Sequence, residues 1–129
     1  MVFVSVENPL TGKKVDFKML LDTGSCHTCL PTRFAFHFGL KNHENEDQSH
    51  QTQGIGCTVK RYLHRLRIGL IDPTSRGSRD VVWVSRLEQI SFIKELEGVF
   101  GILGMDIISE WKELTLLPEG DGGKVRITV

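Results

Sequence analysis

The chain has 129 residues, 40% of them apolar, and balances 16 Lys plus Arg against 16 Asp plus Glu. That length suits a single domain over residues 1–129. A chain this size buries roughly two-thirds of its unfolded surface, so a core without metal or disulfide support is expected. Zero formal net charge argues against binding nucleic acid or an anionic membrane through bulk charge, and no apolar run approaches the ~18–20 residues of a membrane span.

In chain order the pattern is mostly β. Residues Met1 to Glu7 show no basic region followed by an apolar core, so no signal peptide is expected. Val2, Val4 and Val6 alternate as in a half-buried strand, and Asn8 to Gly12 is turn chemistry. Val15, Phe17, Met19 and Leu21 repeat at period two, predicting a hairpin partner that runs into Asp22, Thr23 and Gly24. Cys29 and Leu30 form a short strand ended by Pro31. A short helix follows to Gly39, with Thr32 as its cap and Phe34 and Phe38 on one side.

The polar stretch from Lys41 to Gln53 reads as an exposed loop. Thr58 to Leu70 reads as a long strand, and Asp72 to Arg79 as a second loop. Val81 to Val84 reads as a buried strand. Arg86 to Glu97 keeps helical spacing only in part and stays ambiguous. Met105 to Trp111 suggests a short helix, and strands Leu114 to Leu117 and Val125 to Val129 flank the glycine-rich turn at residues 120–123. Trp83 and Trp111 are expected in the core.

The chemistry concentrates where an apolar strand delivers Asp22 into a tight turn. Gly24 lets the backbone pass close to a neighbour, and Thr23 sets a hydroxyl beside the acid. A carboxylate at such a place is costly unless hydrogen-bonded or shared. Taken alone, the tripeptide also fits a turn in which Asp and Thr satisfy backbone groups.

The wider run from Asp22 to Leu30 (Asp-Thr-Gly-Ser-Cys-His-Thr-Cys-Leu) resembles the active-site segment of retropepsin-like aspartic proteases, with Thr28 and Leu30 at the family's threonine and pocket-lining apolar positions. Gly54-Ile55-Gly56 resembles the tip of the family's flap hairpin, and Ile102-Leu103-Gly104-Met105-Asp106-Ile107-Ile108 resembles its second signature.

The resemblance implies an all-β fold: a small closed barrel with a flap hairpin and one short C-terminal helix. It implies an aspartic endopeptidase without a cofactor or metal. Asp22 would be the catalytic acid. Thr23 would hydrogen-bond across a two-fold axis, and Gly24 would offer a carbonyl to substrate. Ser25, Leu30, Gly54, Ile55 and Gly56 would bind substrate, and Gly104 would let a helix pack closely beneath the loop. One Asp-Thr-Gly per chain supplies one carboxylate where the chemistry needs two, so a symmetric homodimer acting on peptide is expected.

Two departures stand out. Many viral members carry an Asp–Arg ion pair where this chain has Cys26 and Met105, so the dimer would be held differently, through apolar contacts and terminal strands. Ser25 replaces a common alanine. Its hydroxyl, if near the dyad, would favour the ionised form and an acidic optimum.

The alternatives are an inactive dimerisation or peptide-binding module on the same fold, and a zinc or redox protein built on Cys26-x-x-Cys29. The second ranks low, because no second cysteine pair follows and the histidines are scattered. Three cysteines make an odd number for a disulfide framework and point to a reducing, cytoplasmic setting. Arg61, Arg65 and Arg67 with His64 form a basic cluster, read as a solvated strand face or a contact for something acidic.

Overall fold

The computed structural model describes residues 2–40, 49–54, 57–72, 80–93, 101–117 and 124–129, of which 49–54, 57–60, 117 and 124 are described by backbone alone. Valine alternation becomes strand β1 (Val2–Asn8), with Val4 and Val6 fully buried, and the second period-two run becomes β2 (Lys13–Leu21). They pair antiparallel from Val2↔Met19 to Asn8↔Lys13. The turn between them is tied down by buried Asn8. Its backbone carbonyl accepts Gly12 N–H at 2.8 Å, and its side-chain amide donates to the Phe38 carbonyl at 2.9 Å. Gly12 sits at φ +71°, a conformation that favours glycine.

Strand β3 (Cys29–Pro31) leads directly into a 3-10 helix (Thr32–Phe38). Thr32 does not cap that helix: Pro31 occupies the cap position without a side-chain hydrogen bond. Phe38 is fully buried, and Phe34 and Phe38 both lie against Phe17, with ring centroids 4.8 and 6.0 Å away.

The expected loop from Lys41 to Gln53 is overturned in its last part, which forms β4 (Ser49–Gly54); residues 41–48 lie outside the described residues. Among the described residues this strand pairs with β5 (Cys57–Ile71) alone, from Ser49↔Tyr62 to Gly54↔Cys57. A sheet edge needs backbone partners rather than apolar side chains, so polar composition concealed it.

Strand β6 (Val81–Val84) likewise pairs with β5 alone among the described residues. It is a strand as expected but not a buried one, since Val81, Val82 and Val84 are 44–55% exposed. Trp83 is half-buried with its ring 5.9 Å from that of buried Trp111. The ambiguous region resolves as strand β7 (Glu88–Ile93), with residues 94–100 outside the described set. Then follow β8 (Ile102–Leu103), helix α1 (Met105–Ile108), and a two-stranded ribbon of β9 (Glu113–Leu117) and β10 (Lys124–Thr128).

The chain is therefore mostly β. Pairing runs β1–β2–β8–β3–β7–β5–β4, and β1 also pairs with β5 through Val4↔Leu70 to Glu7↔Arg67. The core unites Val4, Val6, Phe17, Met19, Leu30, Phe38, Leu66, Ile68, Ile90, Phe92, Leu103 and Ile107. Among the described residues no helix is long and apolar enough to cross a membrane.

Candidate active site

Strand β2 carries its hydrogen bonding one residue past its end: Asp22 N–H donates to the Leu103 carbonyl at 3.0 Å. Short parallel pairing of Leu20↔Ile102 and Leu21↔Leu103 holds the two segments together. The chain then turns, with Gly24 N–H on Asp22 Oδ1 at 2.9 Å and Ser25 N–H on the Asp22 carbonyl at 3.1 Å. Asp22 is half-buried, and Thr23 and Gly24 are exposed. Among the described residues nothing donates a hydrogen bond to Asp22 Oδ2.

Beneath the turn lies a polar clamp. Thr28 is fully buried, and its hydroxyl donates to Asp106 Oδ1 at 2.6 Å while accepting Gly104 N–H at 3.0 Å. Thr28 N–H donates to Asp106 Oδ2 at 3.0 Å, and Asp106 Oδ1 also takes Ile107 N–H at 2.9 Å. The Thr28 carbonyl accepts Ser91 N–H, and the Ser25 carbonyl accepts Met105 N–H at 2.7 Å. Thr28 and Asp106, 78 residues apart, thereby lock the Asp22 turn onto the start of α1. Charge-assisted bonds of this kind are about twice as strong as neutral ones.

Gly104 is the close-approach residue that this packing needs. A Cβ there would stand 2.6 Å from the His27 carbonyl carbon and 2.9 Å from the Ser25 carbonyl oxygen. The clash is with backbone, which has no soft way to yield.

Three further site residues need separate comment. The Ser25 hydroxyl donates to the His27 carbonyl at 2.8 Å. Its proton is committed away from Asp22, so the expected electrostatic help to the acid, and the acidic optimum argued from it, lose their cause. Leu30, expected on a pocket wall, has no exposed surface and packs in the core. Gly54 closes the β4–β5 hairpin opposite Cys57, and Ile55 and Gly56 lie outside the described residues.

Side chains alternate across a strand and paired residues share a face. One face of β2, β8, β3, β7 and β5 carries Leu21, Leu103, Leu30, Phe92 and Tyr62 into the core. The other face carries Leu20, Ile102, Cys29, Ser91 and Leu63 in a single row across the strands, and Asp22 lies two residues along the chain from Leu20, just past the end of β2. Leu20 is 46% exposed and Ile102 half-buried, while Cys29 and Ser91 are buried, so this row forms a floor that is open at its Leu20 end, beside the acid, and covered at its middle. Cys29, not Leu30, is the β3 residue on that floor.

The two cysteines of the Cys-x-x-Cys motif differ. Cys26 is exposed and Cys29 buried, both as free thiols. Burial pushes the Cys29 thiol up to about 11, the nearby Asp106 carboxylate adds to the rise, and Arg61 opposes it. Such a thiol holds its proton and is a poor nucleophile or metal ligand at neutral pH. Among the described residues no group of three or more His, Cys, Asp or Glu side chains is placed to hold a metal ion. Met105, where the viral family's arginine would stand, is exposed, as is Cys26, so neither leaves a charge stranded.

Sequence reasoning missed the role of Asp106. Its place in the second signature was visible, but the partner that explains it lies in a distant segment. Compared with models of protein families the chain gives no match, and compared with curated proteins it gives none either.

Proposed function

We propose that this chain is an aspartic endopeptidase with a retropepsin-like barrel, active as a symmetric homodimer. The observation that carries the reading is the Asp22 carboxylate. It stands beside the exposed Leu20 end of the floor, with one oxygen fixed by Gly24 N–H and the other without a donor among the described residues, on a corner locked by Thr28, Gly104 and Asp106. The cyclic pairing β1–β2–β8–β3–β7–β5–β1 supports the barrel, and the β4–β5 hairpin supports the flap.

Two such turns facing each other would bring two Asp22 carboxylates together. Like charges at close range cannot both ionise, so the pair shares one proton. The ionised partner takes a proton from water, whose oxygen attacks the peptide carbonyl carbon. The protonated partner donates to the carbonyl oxygen. The tetrahedral intermediate then collapses, the C–N bond breaks and the amine leaves with a proton. Exposed Thr23, next to each acid, would bond across the axis and fix the spacing. Substrate backbone would add to the flap strands by β-pairing.

The test is cleavage of a mixed peptide library at several pH values, with and without a statine-type inhibitor, beside Asp22→Asn. Inhibitor-sensitive cutting that the variant loses is the expected result. Peptide binding without turnover in both proteins would establish the inactive module instead.

A further inference from the structure

The basic cluster on β5 is divided by the fold. Arg65 and Arg67 are exposed. Arg61 is half-buried, on the same strand face as Leu63, and so lies beside the row that runs from Leu20 to Ser91. Its Nη1 donates to Ser91 Oγ at 3.4 Å, and its Nε is buried with no hydrogen-bond partner. Among the described residues no carboxylate lies within ion-pair distance of it. A guanidinium has five N–H donors and cannot shed its charge. A buried donor left unpaired is costly and calls for an acceptor.

We propose that Arg61, backed by Ser91, is a specificity-determining subsite that selects an acidic side chain in the substrate, a Glu or Asp close to the scissile bond. The proposal rests on the endopeptidase reading and adds its substrate class. Geometry favours a carboxylate. Leu20, Ile102, Cys29 and Leu63 in the row are apolar or neutral, and although Lys18, Arg65 and Arg67 share these strand faces they are exposed, so among the described residues Arg61, against Ser91, is the half-buried cation of this face with an unpartnered N–H. Three strand spacings separate Leu20 from Ser91, roughly 14 Å, and an extended peptide advances ~3.3 Å per residue. With the length of both side chains included, the selected residue falls roughly two to four positions from the cut bond. Position 61 also belongs to the stretch of β5 that pairs with both β4 and β7, through His50↔Arg61 and Arg61↔Ile93. A substrate strand held under the hairpin would pass it.

The experiment uses peptides built around a bond the protein cuts, varied two to four residues away among Asp, Glu, Asn, Gln, Leu and Lys. They are assayed near pH ~6, where side-chain carboxylates are charged. The wild-type protein should cut the best acidic peptide at least ~10-fold faster in kcat/KM than its Leu or Lys counterpart, the scale of a charge-assisted bond. Arg61→Gln should bring that ratio close to one, and Arg61→Glu should shift preference towards Lys. Arg61→Lys, which keeps the charge and loses the fork, should retain part of the preference and serves if Arg61→Gln does not fold. Absence of acidic preference in the wild type, or its survival in Arg61→Gln, overturns the proposal. If nothing is cut, the endopeptidase reading fails by itself. Extended peptides of one neutral sequence carrying a single Asp, Glu, Gln, Leu or Lys are then scored for binding to the full chain: acidic selectivity lost in Arg61→Gln supports the subsite, and equal binding overturns it.

Discussion

At the Asp22 corner, buried hydrogen bonds converge on Thr28 and Asp106, and Gly104 packs against backbone with no room for a methyl group. In the β9–β10 ribbon, a two-stranded ladder from Lys124↔Leu117 to Thr128↔Glu113 is joined to the α1 end by Lys112 N–H on the Thr128 carbonyl. Among the described side chains of the ribbon, Leu114 and Ile127 pack on the core, while Leu116 is 64% exposed and Val125, like Val129 just past β10, is 38% exposed. A two-stranded ribbon is marginal by itself. The corner owes its geometry to contacts within one chain. The ribbon has apolar surface left over, which under the proposed function a second chain covers. On the proposed function, rigidity lies where a carboxylate would be aimed, and exposed apolar surface lies where a second chain would dock.

Substitutions should separate these regions. The largest effect is expected at Gly104→Ala, where the new methyl meets His27 and Ser25 backbone. A loss of ~3 kcal/mol or more is predicted in chemical denaturation, and an unchanged midpoint would break the account of the corner. Thr28→Val keeps the shape but leaves Gly104 N–H unpaired and removes one of the two donors on Asp106 Oδ1. It should cost ~2–3 kcal/mol and lower activity more than stability alone explains.

Cys29 gives a pH test of the same corner. The folded thiol holds its proton up to about 11, against an ordinary value of 9.0. Between those values the unfolded chain binds fewer protons than the folded one, so stability falls as pH rises from about 9 towards 11. Cys29→Ala should flatten that fall, and an identical pH profile would contradict the assigned burial. The ribbon should behave oppositely. Leu116→Lys is expected to change chain stability by no more than ~0.5 kcal/mol, yet to shift the protein towards monomer in sedimentation and lower activity at low concentration. The smallest effect is expected at Arg86→Ala. It removes a contact at 3.2 Å from Arg86 Nε, on a side chain 81% exposed, to a Glu110 side chain 10% exposed, but the Arg86 N–H stays on the same oxygen, so a stability loss of at most ~1 kcal/mol with no change in association or activity is expected.

Much of the corner was legible in the sequence, because Asp22 to Gly24 and Gly104 to Ile108 are local runs with regular apolar flanks. The hairpin of β1 and β2 was legible for the same reason. The clamp was not: Thr28 and Asp106 make sense only as a pair, and no local period links residues so far apart. Edges were misread in both directions. The last part of the polar 41–53 run resembled a loop but pairs as β4, and the apolar run at β6 resembled a core strand but lies at an edge. Periodicity reports the faces of a strand and is silent on how many neighbours it has. Leu30 and Cys29 show the same limit at the scale of one residue, since parity decides which of the two meets the floor beside Asp22.

The central claim is that one chain holds half of an active site. The direct measurement is to unfold and refold wild type together with an equal amount of Asp22→Asn, then compare activity with wild type alone at the same total concentration. Random pairing of chains that each supply one carboxylate leaves about a quarter of the dimers with both acids. The account predicts that activity falls to about a quarter and follows the square of the wild-type fraction. Activity of about one half, falling in simple proportion to that fraction, would show that a single chain suffices and would contradict it.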